Sequence, residues 1–508
     1  MKDFMNVDKN YFTPYTDKET LEKIVMYPTL LHMWEHCEEE YKNKTVIIDD
    51  KEYTYGKLGE DIAKFRGVLV KNGINKGDRV CILVPSSYDF AKVFFATQTL
   101  GIAAVLVPVQ LDDKTIYGCT LKFRAKAIIY HESLAQKVEL AKSQGVTVIN
   151  TNEEGEQTKP NEVNPEDESV IIFTGGTTGR SKGALLTHKA VMRGVVNGCY
   201  GTKEVFDQRY FLILPLTHVF GLIRNFLTSI YTGSVLFICK DLKNMFKDMA
   251  QFSPSILIMV PALAEMALNL TKQIGRHILG KNLKTIIAGA SSVGSHLIKE
   301  YNEMGIQLLA GYGLTESANL VSGNPESLKK PTSVGLPYPN QQLKIVNGEL
   351  WIKGDNVMLK YDGDEEETNN AFEDGWFKTG DLVRIDDEGY LYIVGRIKDV
   401  IVLDSGEKVS PAEVEDKFCE PDFIADAMVY EDFDNGVQQL TLEVVPRVGT
   451  SVSKEDMMKE LNRINDNLYS YQKVNKIVIR TEDFARTPAM KKIRIKKERW
   501  KEVKLQKN

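Results

Sequence analysis

Two rhythms of apolar residues alternate along most of the chain. One is the short run. Val80-Cys81-Ile82-Leu83-Val84, Ala103-Ala104-Val105-Leu106-Val107-Pro108, Ala127-Ile128-Ile129-Tyr130 and Val146-Thr147-Val148-Ile149 each read as a buried strand. The other is helical: Leu58, Ile62, Phe65, Val68 and Leu69 recur at helical spacing up to Asn72-Gly73, a helix stop. The same patterns predict helices over 28–39, 87–100, 188–199 and 242–251, and a strand pair at 45–48 and 52–55. Further strands are predicted at 170–173, 212–216, 234–238, 256–261, 285–291 and 307–313. Strands alternating with helices imply a parallel sheet covered on both faces, so the fold class is α/β.

The texture changes near residue 334, where short strands and turns begin. Residues 343–352 are hairpin-like around Asn347-Gly348, and a small β subdomain is predicted over about 334–395. Residues 363–369 are acidic and expected to be exposed. Beyond Arg396 the pattern becomes compact α+β, with helices near 411–418 and 453–468. A boundary at 396–399 divides a first domain, 1–397, from a second, 399–508.

Composition agrees with more than one domain: 508 residues exceed a single core. The charge balance, 64 basic against 70 acidic side chains for a net −6, argues against electrostatically driven nucleic-acid binding. Six scattered cysteines with no C-x-x-C pair fit a reducing compartment and no structural zinc. Met1-Lys2-Asp3-Phe4 starts no apolar run, and no stretch has the roughly 18 apolar residues of a transmembrane segment. A cytoplasmic enzyme is expected.

Chemistry concentrates first after the strand at 170–173, in Thr174-Gly175-Gly176-Thr177-Thr178-Gly179-Arg180-Ser181-Lys182-Gly183. Glycines let backbone N–H groups converge, hydroxyls donate to anionic oxygens, and Lys182 brings positive charge. A generic Gly-rich run is a surface loop. Two threonines and a lysine placed this tightly favour a polyphosphate cradle instead. It is not a P-loop, because Gly183 follows Lys182 and no glycine precedes it.

The run resembles the phosphate loop T-[SG]-G-T-T-G-x-P-K-G of the adenylate-forming enzymes. These are the acyl-CoA synthetases, the adenylation domains of peptide synthetases and the firefly luciferases. Gly175 stands where Ser is commoner, and Ser181 where Pro is. The resemblance gives the phosphate contacts to Thr174, Thr177, Thr178 and Lys182, with the backbone of Gly175, Gly176 and Gly179.

Gly311-Tyr312-Gly313-Leu314-Thr315-Glu316 matches the same family's Y-G-x-T-E. Alone it reads equally as a strand-to-turn connection with a solvated Glu. The resemblance implies that Tyr312 stacks on adenine and that Glu316, a hard oxygen ligand, reaches Mg2+. Thr379-Gly380-Asp381 alone reads as an Asx-turn. By resemblance Asp381 binds both ribose hydroxyls. Gly395-Arg396-Ile397-Lys398-Asp399, otherwise a charged linker, resembles G-R-x-[DK]-D. Arg396 then contacts the nucleotide and Lys398 is the hinge.

Four further segments are similar to the family's. In Ser405-Gly406-Glu407-Lys408-Val409-Ser410-Pro411, Gly406 falls on the pantetheine path of the thioester-forming state. The run between 399 and 406 is closer in length to fatty-acyl than to acetate-type synthetases. His218, in Thr217-His218-Val219-Phe220-Gly221, matches H-x-x-G beside the acyl group, with a structural hydrogen-bonder as the alternative. Gly289, Ala290 and Ser291 match the segment flanking substrate and adenine, and equally suit close packing. Thr487-Pro488-Ala489-Met490-Lys491-Lys492-Ile493-Arg494 matches T-x-x-G-K-x-x-R, with Met490 for Gly and with Ala485 and Arg486 for the preceding Pro and Lys. Lys491 is then catalytic, with Lys492 as the alternative register and a solvated basic tail as the bland one.

The resemblance implies a large N-terminal domain of layered α/β sheets with a small β-barrel subdomain, then a small mobile α+β C-terminal domain. It implies that a carboxylic acid, fatty by the loop length, is activated by ATP and Mg2+ to an acyl-adenylate with release of pyrophosphate. The acyl group then passes to coenzyme A, or to the phosphopantetheine of an acyl carrier protein. A nucleotide- or acyl-binding relative without catalysis is the other class.

Overall fold

The computed structural model of the chain describes residues 5–6, 12–174, 182–434, 437–486 and 492–494. The expected α/β layers are present as a seven-stranded and a nine-stranded sheet. Helices fill the connections and start where short polar side chains cap them. Thr54 accepts from Lys57 N at the head of Tyr55–Lys71, which buries Leu58, Ile62, Phe65, Val68 and Leu69. Ser87 does the same for Tyr88–Leu100, which stops at Gly101 in the left-handed region, φ 71°.

Two strand arrangements place the site. In the seven-stranded sheet, Glu168–Thr174 runs parallel to Ala103–Leu106 and antiparallel to Lys182–Thr187. Thr174 and Lys182 are the paired residues at the two ends of the Gly/Thr loop. In the nine-stranded sheet, Thr285–Ala288 lies between Ile256–Met259 and Gln307–Tyr312, all parallel. Their carboxyl ends lie together, which is where open α/β sheets hold ligands.

The β subdomain is a six-stranded sheet, antiparallel throughout, that includes Gln341–Val346, Glu349–Gly354, Trp376–Ile385 and Leu391–Arg396. Helices Pro411–Phe418 and Lys454–Asp466 accompany a three-stranded sheet of Ile424–Asp434, Val437–Pro446 and Lys476–Ile479. The largest hydrophobic core runs from Phe12 to Leu391, and a separate one begins at Ile401.

Several expectations shift. The strand expected at 212–216 is Arg209–Leu212: the apolar run outlasts it, because Pro215 has no N–H for a ladder and its carbonyl accepts from His218 N in a turn. The strand expected over 256–261 stops at Met259, and Pro261 opens an unpredicted helix, Pro261–Ile274. The acidic stretch 363–369 is largely helix, Glu365–Ala371. Asp364 accepts from Glu367 N, and Glu365, Glu366 and Glu367 suit the positive end of the helix dipole. No helix among the described residues is long and apolar enough to cross a membrane.

Candidate active site

Gln307–Tyr312 delivers the first side chain. Its continuation demands Gly313, where a Cβ would sit 1.3 Å from the Asn319 carbonyl oxygen. A single 3-10 turn, Thr315–Ser317, follows and is closed by Ala318 and Asn319 at φ 47° and 74°. This tight reversal points Tyr312 toward the β subdomain, where its hydroxyl donates to Asp381 Oδ2 at 2.5 Å. Arg396, across the strand pair from Asp381, donates Nε to Oδ1 at 2.7 Å. Asp381 is 2 % exposed, so one buried carboxylate ties the tyrosine and the arginine together. Burial, then the Asp381 charge, push the Tyr312 phenol well above its usual range.

The phosphate side is built from the hairpin ends. Lys182 Nζ pairs with the Glu367 carboxylate and lies 4.8 Å from the centre of the Tyr361 ring. Tyr361 OH donates to Glu316 Oε1 at 2.7 Å. Burial, then Glu316, push that phenol up. Lys182 and Glu316 therefore meet through Tyr361, which the edge strand Lys360–Tyr361 holds against Ala184 and Leu185. Glu316 offers one hard oxygen ligand, which fits Mg2+, an ion bound by one or two carboxylates plus substrate phosphates. Gly175, Gly176, Thr177, Thr178 and Gly179 lie outside the described residues.

The third wall carries His218. Its Nδ1 accepts from Phe220 N at 3.3 Å, and the chain then enters a π-helix, Phe220–Leu227. Such wide turns recur at functional sites. Opposite stand Gly289, Ala290 and Ser291. A Cβ on Gly289 would meet Phe220 at 3.5 Å, and Ala290 adopts φ 71°. That conformation is strained for a residue with a Cβ. Thr174, Lys182, His218, Gly289, Ala290, Ser291, Gly311, Tyr312, Gly313, Thr315, Glu316, Asp381, Arg396 and Lys398 all line one cleft of about 1720 Å³.

A model of the family described as AMP-binding enzyme matches residues 34–362. The chain belongs to that family. Among relatives of this AMP-binding enzyme is a 4-coumarate–CoA ligase-like protein of Arabidopsis thaliana, 27% identical in an alignment of 490 positions that covers 86% of this chain and 85% of the relative. A long-chain-fatty-acid–CoA ligase of Salmonella typhimurium is 29% identical in an alignment of 455 positions that covers 77% of this chain and 80% of the relative. An anthranilate CoA ligase solved with anthranoyl-AMP shares the fold at TM-score 0.81 and 21% identity, covering 96% of this chain and 98% of that one. The expectation of an acid–thiol ligase agrees with these relatives.

The C-terminal part of the AMP-binding enzyme reaches the same cleft through Lys492 and Arg494. Lys492 Nζ contacts Asp426 Oδ1 at 2.9 Å, Glu415 Oε2 at 3.4 Å and the Ala427 carbonyl. Arg494 donates to Glu415 Oε1 at 2.6 Å. Lys491 lies outside the described residues. Lys398 is exposed in the 3-10 turn Ile397–Asp399. Gly406 is not brought to the cleft: it sits in an exposed turn at φ 90°, its N–H donating to Leu403 O at 2.8 Å. Sequence reasoning missed Tyr361, Glu367 and Arg224, none of which stands in a recognisable motif.

Proposed function

We propose that this AMP-binding enzyme joins a carboxylic acid to coenzyme A through an acyl-adenylate. The observation that carries the reading is the convergence on one cleft of Tyr312, Asp381 and Arg396 with Lys182 and Glu316. The first group suits a nucleoside: Asp381 accepts from ribose hydroxyls, Tyr312 flanks the base, and Arg396 fixes Asp381. The second suits a triphosphate. Lys182 exchanges Glu367 for phosphate oxygens, Thr174, Thr177 and Thr178 donate hydroxyls, and Thr315 and Glu316 face the phosphates. Mg2+ held by Glu316 supplies neutralisation of phosphate charge.

In the first step a carboxylate oxygen attacks the α-phosphorus, the bond to the bridging oxygen breaks, and pyrophosphate leaves. Lys491 places a positive charge between the two anions. In the second step the thiol sulfur attacks the acyl carbon and AMP leaves. One cleft serves both steps, so the domain from 399 onward turns about Lys398, and Gly406 then comes to the pantetheine path. The apolar wall of Phe220, Phe246, Met266 and Leu270 suits a hydrocarbon body, in line with a fatty acid. Coenzyme A as acceptor is supported by the CoA ligases among the relatives. Six free cysteines suit a cytoplasmic setting.

Acid-dependent exchange of pyrophosphate into ATP tests the reading, across short, medium, long and aryl acids, with and without CoA. Exchange without CoA, and AMP plus thioester with it, are expected. Formation of ADP, or no exchange with any acid by protein that binds ATP, would sink it.

A further inference from the structure

The acyl wall contains a buried charge with no acidic partner among the described residues. Arg224 lies on the π-helix beyond His218, lines the cleft, and is 2 % exposed. Its Nε and Nη1 have no hydrogen-bond partner among the described residues. The titratable groups beside it are the Cys199 thiol and the phenols of Tyr210 and Tyr338. Burial pushes all three up, Cys199 to about 12, so each is neutral at pH 7.

Other buried arginines of this chain have an acidic or carbonyl partner, although Arg193 Nε and Arg447 Nε are also without a hydrogen bond among the described residues. Arg79 has Glu168 and Asp362, Arg193 has Asp355, Arg447 has Glu300, and Arg66 donates to the Thr158 carbonyl. A guanidinium withdrawn from water without such a partner is costly to the fold. The polar surroundings repeat the deficit. Arg224 Cδ lies 3.4 Å from where a Cβ on Gly198 would be, and the preceding residue, Asn197, is fully buried with both amide atoms unpartnered. Tyr210 OH lies against Arg224 and Thr232 without a well-formed hydrogen bond. A buried cation facing the cleft is what an oxyanion requires, and the planar guanidinium fork matches a carboxylate.

We propose that Arg224 receives a second anionic oxygen group of the acid substrate. On the acid-ligase reading, on which this rests, the preferred substrate is an acid with an apolar body and a further carboxylate or like oxyanion remote from the carboxylate that is adenylated. A site built to bind such a group rejects analogues lacking it, because its own donors are then left unpaired.

The test compares matched pairs in pyrophosphate exchange: octanoate with octanedioate, dodecanoate with dodecanedioate, benzoate with terephthalate. In at least one pair the diacid is expected to exceed its partner by about tenfold or more in kcat/KM. Arg224→Met should reverse that order and Arg224→Lys should retain part of it. Without ligand, Arg224→Met should melt at or above the wild-type temperature, since it removes an unpaired buried charge. Monoacids used as well as or better than diacids in every pair would overturn the proposal. So would a diacid preference that persists in Arg224→Met. Should Arg224→Met fail to fold, the wild-type ratios and Arg224→Lys decide. Silence with every acid of either kind, by protein that still binds ATP, overturns the ligase reading itself.

Discussion

At the scale of single residues, the ammonium of Lys492 is already engaged. Asp426, Glu415 and the Ala427 carbonyl surround it, and its side chain is 18% exposed. An ammonium held this way is poorly placed to leave for an α-phosphate. Lys491→Ala should therefore slow adenylation by about a hundredfold or more, while synthetic acyl-adenylate plus CoA is still converted. Lys492→Ala should instead lower stability by about 1 kcal/mol, a modest loss because Arg494 still pairs with Glu415 and Arg486 with Asp426. Stopped half-reactions and urea unfolding of both variants separate these outcomes, and exchanged phenotypes would reverse the assignment. The sequence offered both registers, because adjacent lysines look alike until their contacts are known. Tyr361, Glu367 and Arg224 were illegible for a related reason. Tyr361 and Glu367 act through partners far away in the chain, and Arg224 stands out only by its burial, whereas Tyr312 and Glu316 stand a few residues apart in one motif.

At the scale of elements, the helix His188–Asn197 begins with a histidine that is fully buried. Its Nδ1 accepts from Leu30 N at 3.4 Å, which requires that nitrogen unprotonated. Burial pushes His188 from 6.5 down to about 4. Between those values the unfolded chain binds the proton and the folded chain does not, so stability falls as pH drops through that window. The loss totals about 3 kcal/mol. Urea unfolding at pH 7 and pH 5 should differ by about 2 kcal/mol, the part of the loss that falls above pH 5, and His188→Gln should flatten the difference. An unchanged slope would refute the account. Elements with sharp caps were readable: Tyr55–Lys71 has Thr54 before it and Asn72-Gly73 after it. Pro261–Ile274 was not, because its buried face mixes Leu263 and Leu268 with Ala264, Ala267 and Thr271, a weak apolar signal. The apolar run at 212–216 announced a strand, but only the pairing of Arg209–Leu212 with Val235–Ile238 fixes which residues form it.

At the scale of the whole molecule, the segment that contains Lys398 joins two hydrophobic cores, one ending in the chain at Leu391 and the other beginning at Ile401. Arg447 bridges them in the present arrangement, donating to Glu300 at 3.3 Å and lying 3.5 Å from Glu265. Lys398→Pro fixes φ near a value that the 3-10 turn already accommodates, so this arrangement should survive while rotation is hindered. Adenylation should persist and thioester formation should fall about tenfold or more. Equal loss of both would deny Lys398 the role of pivot. The central claim, that a carboxylate oxygen bonds to the α-phosphorus of ATP, is tested most directly by labelling that carboxylate with heavy oxygen and analysing the nucleotide by mass spectrometry. One labelled oxygen should appear in each AMP released and none in pyrophosphate. Unlabelled AMP, or label carried into inorganic phosphate alongside ADP, would contradict it.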